Sequence, residues 1–398
     1  MIGLPVTKRV AHLRNSRRNP AAACRAAARL FPADSQREAS QEILSWDGYQ
    51  VSPLLPLRGL ASATGVGEVW LKDEGARFGL GSFKALGGAY AVTRLAGSGS
   101  QTFACATDGN HGRAVAWGAR RLGARCIIYL HAGVSGGRES ALRELGAGIV
   151  RVAGSYDDSV HEVALDAAAN GWTLVGDTSD DERDPAAALV MAGYTVLIDE
   201  IAAQLLHHAA PTHLFVQAGV GGLAAAVIAG VCRYWAPAPP RIVVVEPEQA
   251  SCVFRSLAAG ERVTVPGDLH TLMAGLACGK VSGLAWPLLE AGVSDAVVIR
   301  DDDIPGAMRL MFAGHRGDPK VICGESGVAG VAALLASAQE APVREALGLE
   351  HDSRVLLINT EGATDAKIFA SLVPDAAGIC VAVQRGTPPP LTEQAAPP

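Results

Sequence analysis

The chain has 398 residues, and 34 Lys and Arg stand against 40 Asp and Glu for a formal net charge of −6. At roughly 150 residues per domain this is length for two to three domains, and 49 % hydrophobic with 19 % charged residues is the composition of a chain that buries a core. A mildly acidic balance without a clustered basic face argues against nucleic acid, and no unbroken apolar run of about 18 residues suggests a membrane span.

The first 32 residues hold many Arg and Ala and no acid, Asp34 being the first. They contain no apolar signal-peptide region, and the whole chain is rich in Ala, Arg and Gly, so a frayed basic arm is expected here in preference to a transit peptide. From residue 69 onward, strand-like apolar runs at 69–72, 102–106, 125–130, 148–152, 213–217, 242–246, 296–299 and 354–358 alternate with helical patterns at 83–95, 112–122, 137–145, 159–169, 186–206, 223–234 and 328–338. Strands separated by helices of this length are βαβ crossovers, so the fold class is α/β with mainly parallel sheets flanked by helices. Residues 374–398, rich in proline from 386, are expected to form a disordered tail.

The eight cysteines are scattered, with no CxxC and no HExxH among the histidines, and no metal site is expected. Buried free thiols in a reducing compartment, hence a cytoplasmic protein, are the expectation.

Three segments that join a strand to a helix carry the chemistry. In the first, Lys84 follows a glycine-rich loop and opens a mostly apolar helix. A helix N-terminus and desolvation both favour a neutral amine able to form a Schiff base; the competing reading is a surface lysine. In the second, Thr107, Asp108, Gly109, Asn110, His111 and Gly112 form a polar loop. Its polar residues fit helix capping; equally, Asn110 could donate to a ring hydroxyl and Asp108 could move a proton. In the third, Gly219, Val220, Gly221, Gly222 and Leu223 open a helix after a strand, which suits a phosphate. Gly219, Gly221 and Ala224 also fit the dinucleotide fingerprint G-x-G-x-x-A, with Glu246 ending a later strand as its ribose acid.

Taken together, SFK, DGNHG and GVGG resemble the fold-type II pyridoxal-phosphate enzymes, the group of threonine dehydratases, serine racemases and tryptophan synthase β. Six motifs in order, at 77–92, 107–117, 217–221, 273–279, 324–327 and 360–365, are similar to the diaminopropionate ammonia-lyases in particular. The resemblance covers about residues 50–372. It implies two domains, a larger one from 1–95 with 205–373 and a smaller one from 96–204, with pyridoxal 5'-phosphate in the cleft between them. It implies that Lys84 bonds the cofactor, Asn110 meets its ring oxygen, Gly219, Val220, Gly221, Gly222 and Leu223 cradle its phosphate, and Thr360 meets its ring nitrogen. Asp108 resembles the acid that takes the α-proton of D-2,3-diaminopropionate and Asp177 the one serving the L-isomer. A homodimer acting on a small amino acid is the further implication.

The residue types agree with that chemistry. Two enantiomers present their α-protons on opposite faces and need two bases, and carboxylates suit a substrate with an extra ammonium. A serine or threonine dehydratase has less need of an acid before Gly109. Threonine or serine dehydration, hydroxyaspartate deamination and β-replacement are the rival reactions on the same scaffold. A dinucleotide oxidoreductase leaves Lys84 and the Asn110 loop unexplained, and a binding protein without turnover is the non-enzymatic rival.

The sequence departs from the family after Asp177, where Asp180, Asp181, Glu182 and Asp184 replace aromatic residues and an Ile-Pro step. A solvated approach to a helix is the first reading, and a lid selecting a more cationic substrate the second. Cys252 and Cys278 stand in matching regions, where two buried thiols are expected in preference to a disulfide. Asp301, Asp302 and Asp303 are read as capping the helix that follows.

Overall fold

The structure is a computed structural model that describes residues 4–5, 10–97, 101–107, 109–181 and 183–376. Its eleven strands are β1 (Ala11–Arg14), β2 (Leu54–Pro56), β3 (Glu68–Asp73), β4 (Thr102–Ala106), β5 (Arg125–His131), β6 (Gly148–Val152), β7 (Thr173–Leu174), β8 (His213–Gln217), β9 (Arg241–Pro247), β10 (Asp295–Ile299) and β11 (Arg354–Asn359). They form a seven-stranded sheet, ordered β1-β10-β9-β8-β11-β3-β2, and a four-stranded sheet, ordered β6-β5-β4-β7.

The α/β expectation holds. The small sheet is parallel throughout, and the large sheet is parallel from β10 to β3 with antiparallel edges at β1 and β2. Helices cover both faces of a parallel sheet, so its inner strands carry continuous apolar runs. That is why Val243, Val244 and Val245 of β9 and Leu356, Leu357 and Ile358 of β11 are all buried. In register, Val355 of β11 lies between Val69 of β3 and His213 of β8.

Three expectations are corrected. From residue 10 onward the N-terminal segment is not a frayed arm, residues 1–3 and 6–9 of it lying outside the described ones: Ala11–Arg14 pairs with β10, and Pro20–Leu30 is a helix whose N-cap Asn19 accepts from Ala22 N. Its face is fixed by buried Ala23 and Ala27 against the main core. Nor are all cysteines thiols, because Cys24 of this helix is joined to Cys232 of helix Gly222–Tyr234. Pro374–Ala376 is a 3-10 turn with Ala376 buried, so the ordered chain runs past 373; the rest of the predicted tail lies outside the described residues.

Helix Pro185–Gln204 is long and apolar enough to cross a membrane, but 72 % of its apolar 18-residue window is buried inside the protein. It is a core helix, lying against the helices Lys84–Leu95 and Gly222–Tyr234 and contributing Met191, Leu197 and Ile198 to the main core. Asp184 caps it, accepting from Ala186 N at 2.8 Å and Ala187 N at 3.3 Å.

Four parallel strands end at the same place. The chain leaves β3 for Lys84, β4 for Asn110, β8 for Gly222 and β11 for Thr360. Crevices at the carboxyl ends of parallel strands are where α/β folds bind ligands.

Candidate active site

These four loops line one cleft of about 1040 Å³, its open mouth included. Lys84, Asn110, Asp177, Gly219, Val220, Gly221, Gly222, Leu223 and Thr360 all face it, so the structure gathers the sequence-predicted residues into one site. Asp108 lies outside the described residues; its neighbours Thr107 and Gly109 line the cleft.

Lys84 is the first residue of helix Lys84–Leu95, as the sequence implies. Its charge state is a correction. Burial alone disfavours the ammonium, but Asp177 Oδ2 lies 2.6 Å from Nζ, and this carboxylate outweighs burial and holds the amine well above its usual range. Asp177 responds in the opposite sense: burial opposes its charge, the Lys84 ammonium overcomes it, and the carboxyl sits below the usual carboxylate range. Phe83 and Tyr194 rings flank Nζ, with centroids at 5.4 Å and 5.9 Å.

The glycine loop is shaped by contacts that exclude side chains. Gly221 has φ +94°, and a Cβ there would stand 2.5 Å from Leu289 Cδ1; a Cβ on Gly219 would stand 2.8 Å from Cys278 Sγ. Helix Gly222–Tyr234 has no side-chain cap, so its first-turn amides and dipole are offered to the cleft. This is a cradle that fits a phosphate. The polar loop is braced differently: Thr107 Oγ1 accepts from Gly109 N at 3.0 Å and Gly112 N at 3.1 Å, so Thr107 caps helix Asn110–Arg121 and Asn110 is left to the cleft.

Thr360 Oγ1 lies 2.9 Å from Gln217 Nε2, whose two N–H groups are shared among Thr360 Oγ1, Ile358 O, Gly327 O and Ser326 O. The Thr360 hydroxyl accepts in that contact and keeps its one O–H to donate. A donor beside a glycine cradle and a lysine suits a phosphorylated aromatic ring bearing a basic nitrogen.

Several lining residues escaped the sequence reading. His111 Nε2 is 2.8 Å from Val175 O, its Nδ1 is buried without a partner, and burial lowers its pKa, so the ring is neutral. Arg138 Nη2 reaches Glu325 Oε1 at 3.0 Å. Glu325 is pushed up to about 7 by burial and then by the charge of Glu361. Glu361, 3 % exposed, accepts from Asn110 Nδ2 and from Ser326 N. The GESG and TEG motifs pointed to 325 and 361; nothing local marked Tyr194 or Arg138.

Two further readings are settled by geometry. Glu246 is fully buried, and its oxygens accept from Val253 N at 2.8 Å and Phe254 N at 2.6 Å. It is spent on the start of helix Cys252–Ala259, and burial pushes it up to about 8, so it is no ribose ligand. Asp301 accepts from Thr271 Oγ1 and Leu272 N, while Asp303 takes the N-cap position of helix Ile304–Ala313 and accepts from Arg300 N, so the triplet stands at that helix start as expected. Cys252 and Cys278 are both thiols, as expected, and the Cys252 thiol lies 3.4 Å from Gly219 O.

The acidic stretch after Asp177 is mostly surface. Asp180 is 61 % exposed and pairs with Arg262 at 2.7 Å and Lys280 at 2.6 Å. Its charge is answered by the protein, which favours the solvated reading over a cation-selecting lid.

The sequence pattern of the family described as "Pyridoxal-phosphate dependent enzyme" matches residues 46–361. The diaminopropionate ammonia-lyase of Escherichia coli K12 is 36 % identical over 367 residues, covering 86 % of this chain and 92 % of that protein. The crystal structure of the holo Escherichia coli diaminopropionate ammonia-lyase superposes with a TM-score of 0.87 at 34 % identity, covering 94 % of this chain and 99 % of that one. A second structure of the same enzyme, in complex with an aminoacrylate–PLP azomethine reaction intermediate, gives 0.86 at the same identity and coverage. Cradle, lysine and ring-facing donors in one cleft agree with these matches: the chain belongs to the pyridoxal-phosphate dependent enzymes, in the family of the diaminopropionate ammonia-lyases, and pyridoxal phosphate is its cofactor.

Proposed function

We propose that the chain catalyses α,β-elimination of ammonia from 2,3-diaminopropionate, giving pyruvate and two ammonia, as a carbon–nitrogen lyase. The observation that carries the reading is the carboxylate of Asp177 set 2.6 Å from Lys84 Nζ in the cleft of a chain whose relatives are diaminopropionate ammonia-lyases.

Lys84 would hold the cofactor covalently, the amides of Gly219, Val220, Gly221, Gly222 and Leu223 its phosphate, Asn110 its ring oxygen and the Thr360 hydroxyl its ring nitrogen. When bound, pyridoxal phosphate supplies the electron sink for a substrate carbanion. Asp177, kept ionised, takes the α-proton of the L-isomer, and Asp108 that of the D-isomer from the other face. Lys84 and Asp177 are close enough to exchange a proton between Nζ and Oδ2. Buried Phe83 and Tyr194 pack beside them and form the apolar wall of that pair.

The two sheets support a division into a larger domain, 1–95 with 205–373, and a smaller one, 96–204. A homodimer is read from the resemblance, and a cytoplasmic location from the buried thiols Cys105, Cys126, Cys252 and Cys323, with the Cys24–Cys232 disulfide as the observation against it.

The test is product counting with purified protein. Two ammonia per pyruvate from the diamine, absent with Lys84→Ala, is the expected result. Turnover of L-threonine, L-serine or 3-hydroxyaspartate with the diamine untouched would overturn the substrate and put a dehydratase or hydroxyaspartate lyase in its place.

A further inference from the structure

Asn110 opens the helix after β4 in the small sheet, and Glu361 follows β11 in the large sheet, yet their side chains meet at the cleft. Asn110 Nδ2 donates to Glu361 Oε2. The other oxygen, Oε1, accepts from Ser326 N at 2.9 Å, and Thr364 Oγ1 stands 3.4 Å from Oε2. The carboxylate is therefore held at both ends.

Room for it is made by the GESG turn. A Cβ on Gly324 would lie 2.9 Å from Glu361 Cγ, and one on Gly327 would lie 2.4 Å from Glu361 O. The glycines of one motif thus accommodate the acid of another. Burial and Glu361 together push the neighbouring Glu325 up to about 7, and Arg138 meets the Glu325 carboxyl at 3.0 Å, leaving Glu361 to Asn110 and Ser326.

An ionised carboxylate only accepts hydrogen bonds, whereas an amide has a donating and an accepting end. Facing Glu361, Asn110 has to present its nitrogen. One of its two N–H groups is spent there, the other remains, and the carbonyl end is turned away. We infer that Glu361 is a positioning residue that fixes which end of the Asn110 amide the cofactor meets. The inference rests on the reading that Asn110 contacts the cofactor's ring oxygen.

Glu361→Gln distinguishes this from simple packing. Ser326 N is a fixed backbone donor and recruits the new carbonyl oxygen. The new amide nitrogen then faces Asn110, which has to turn its oxygen toward it. The side-chain volume is unchanged while the donor offered to the cofactor is lost. Glu361→Asp keeps an acceptor-only group.

The experiment is a double-mutant cycle on the purified full chain. It reads pyridoxal-phosphate affinity by equilibrium dialysis and the pH midpoint of the bound cofactor's absorbance, with thermal midpoints of the apo-proteins as a folding control. Expected results are at least a fivefold weaker affinity and a shifted midpoint for Glu361→Gln, a smaller effect for Glu361→Asp, and no further effect of either change in an Asn110→Ala background. Effects that simply add, or a silent Glu361→Gln beside an affected Asn110→Ala, would overturn the positioning role alone. An Asn110→Ala protein with unchanged affinity and absorbance would overturn the Asn110 reading and this inference with it. Should Glu361→Gln not fold, the same cycle run with Glu361→Asp decides between coupled and additive effects.

Discussion

Lys84 and Asp177 are 93 residues apart in sequence and form one ion pair, Nζ to Oδ2 at 2.6 Å. The pair makes Lys84 a cation in the ligand-free protein, and a lysine must lose its proton to attack a carbonyl. In Asp177→Asn the largest raising influence is gone and burial remains, which lowers the lysine's pKa relative to the parent. The pH profile for loading pyridoxal phosphate into the apo-protein should therefore move to lower pH in Asp177→Asn. Stopped-flow loading rates across pH 6–10, a range of about 4 units chosen around the usual lysine value, measure this; an unmoved profile would show that Asp177 does not control Lys84.

The phosphate cradle depends on Gly221. An alanine there would combine a φ of +94° with a Cβ 2.5 Å from Leu289 Cδ1. A strained position of this kind costs about 1–3 kcal/mol, and relief requires the loop to move. Gly221→Ala should bind pyridoxal phosphate at least tenfold more weakly, by equilibrium dialysis, with its helix content retained by circular dichroism.

Glu325 gives a pH dependence of known sign. Its folded pKa is raised from 4.5 to about 7, so between those values the folded state binds more protons than the unfolded one. Its contribution to stability is full below the unfolded pKa and is lost as pH rises through the folded one, at up to about 1.4 kcal/mol per pH unit. Urea denaturation at pH 5 and pH 8 should show Glu325→Gln gaining on the parent protein at the higher pH. Parallel behaviour of the two proteins at both pH values would contradict the buried, raised carboxyl.

A buried charge cluster orients the loop that leads to Lys84. Glu200 Oε2 lies 2.7 Å from Lys72 Nζ and 2.8 Å from Arg77 Nη2, and Arg77 also grips Glu74 at 2.6 Å. All four side chains are at most 4 % exposed. Removing one partner of a buried pair leaves an unanswered charge at a cost of about 3–5 kcal/mol. Glu200→Gln should lose stability of that order by urea denaturation, and a loss below about 1 kcal/mol would place the cluster among solvent-screened pairs.

Most of the large sheet was legible because parallel strands covered on both faces are nearly uniform apolar runs, as in Val243 to Val245. Strand β1 was not, because its four residues lie in a basic stretch and its partner is distant in sequence, Ala11 pairing with Val298 of β10. The site was legible wherever a loop has its own grammar: a lysine after glycines, or a glycine turn opening a helix. Tyr194, Arg138 and the neutral ring of His111 act through tertiary neighbours, and a helix or loop sequence does not name those. The same limit explains the Lys84 charge. Helix position and burial can be read near residue 84, but the carboxylate that outweighs them belongs to a different segment.

The most direct measurement is pyruvate and ammonia released from D- and L-2,3-diaminopropionate, each supplied alone, by the parent chain and by Asp177→Asn. Elimination through Lys84 with separate bases predicts two ammonia per pyruvate from the parent, and a loss of about 100-fold or more in Asp177→Asn with the L-isomer only. Equal loss with both isomers would contradict the assignment of Asp177 to one face, and a parent protein inert toward both isomers would contradict the elimination itself.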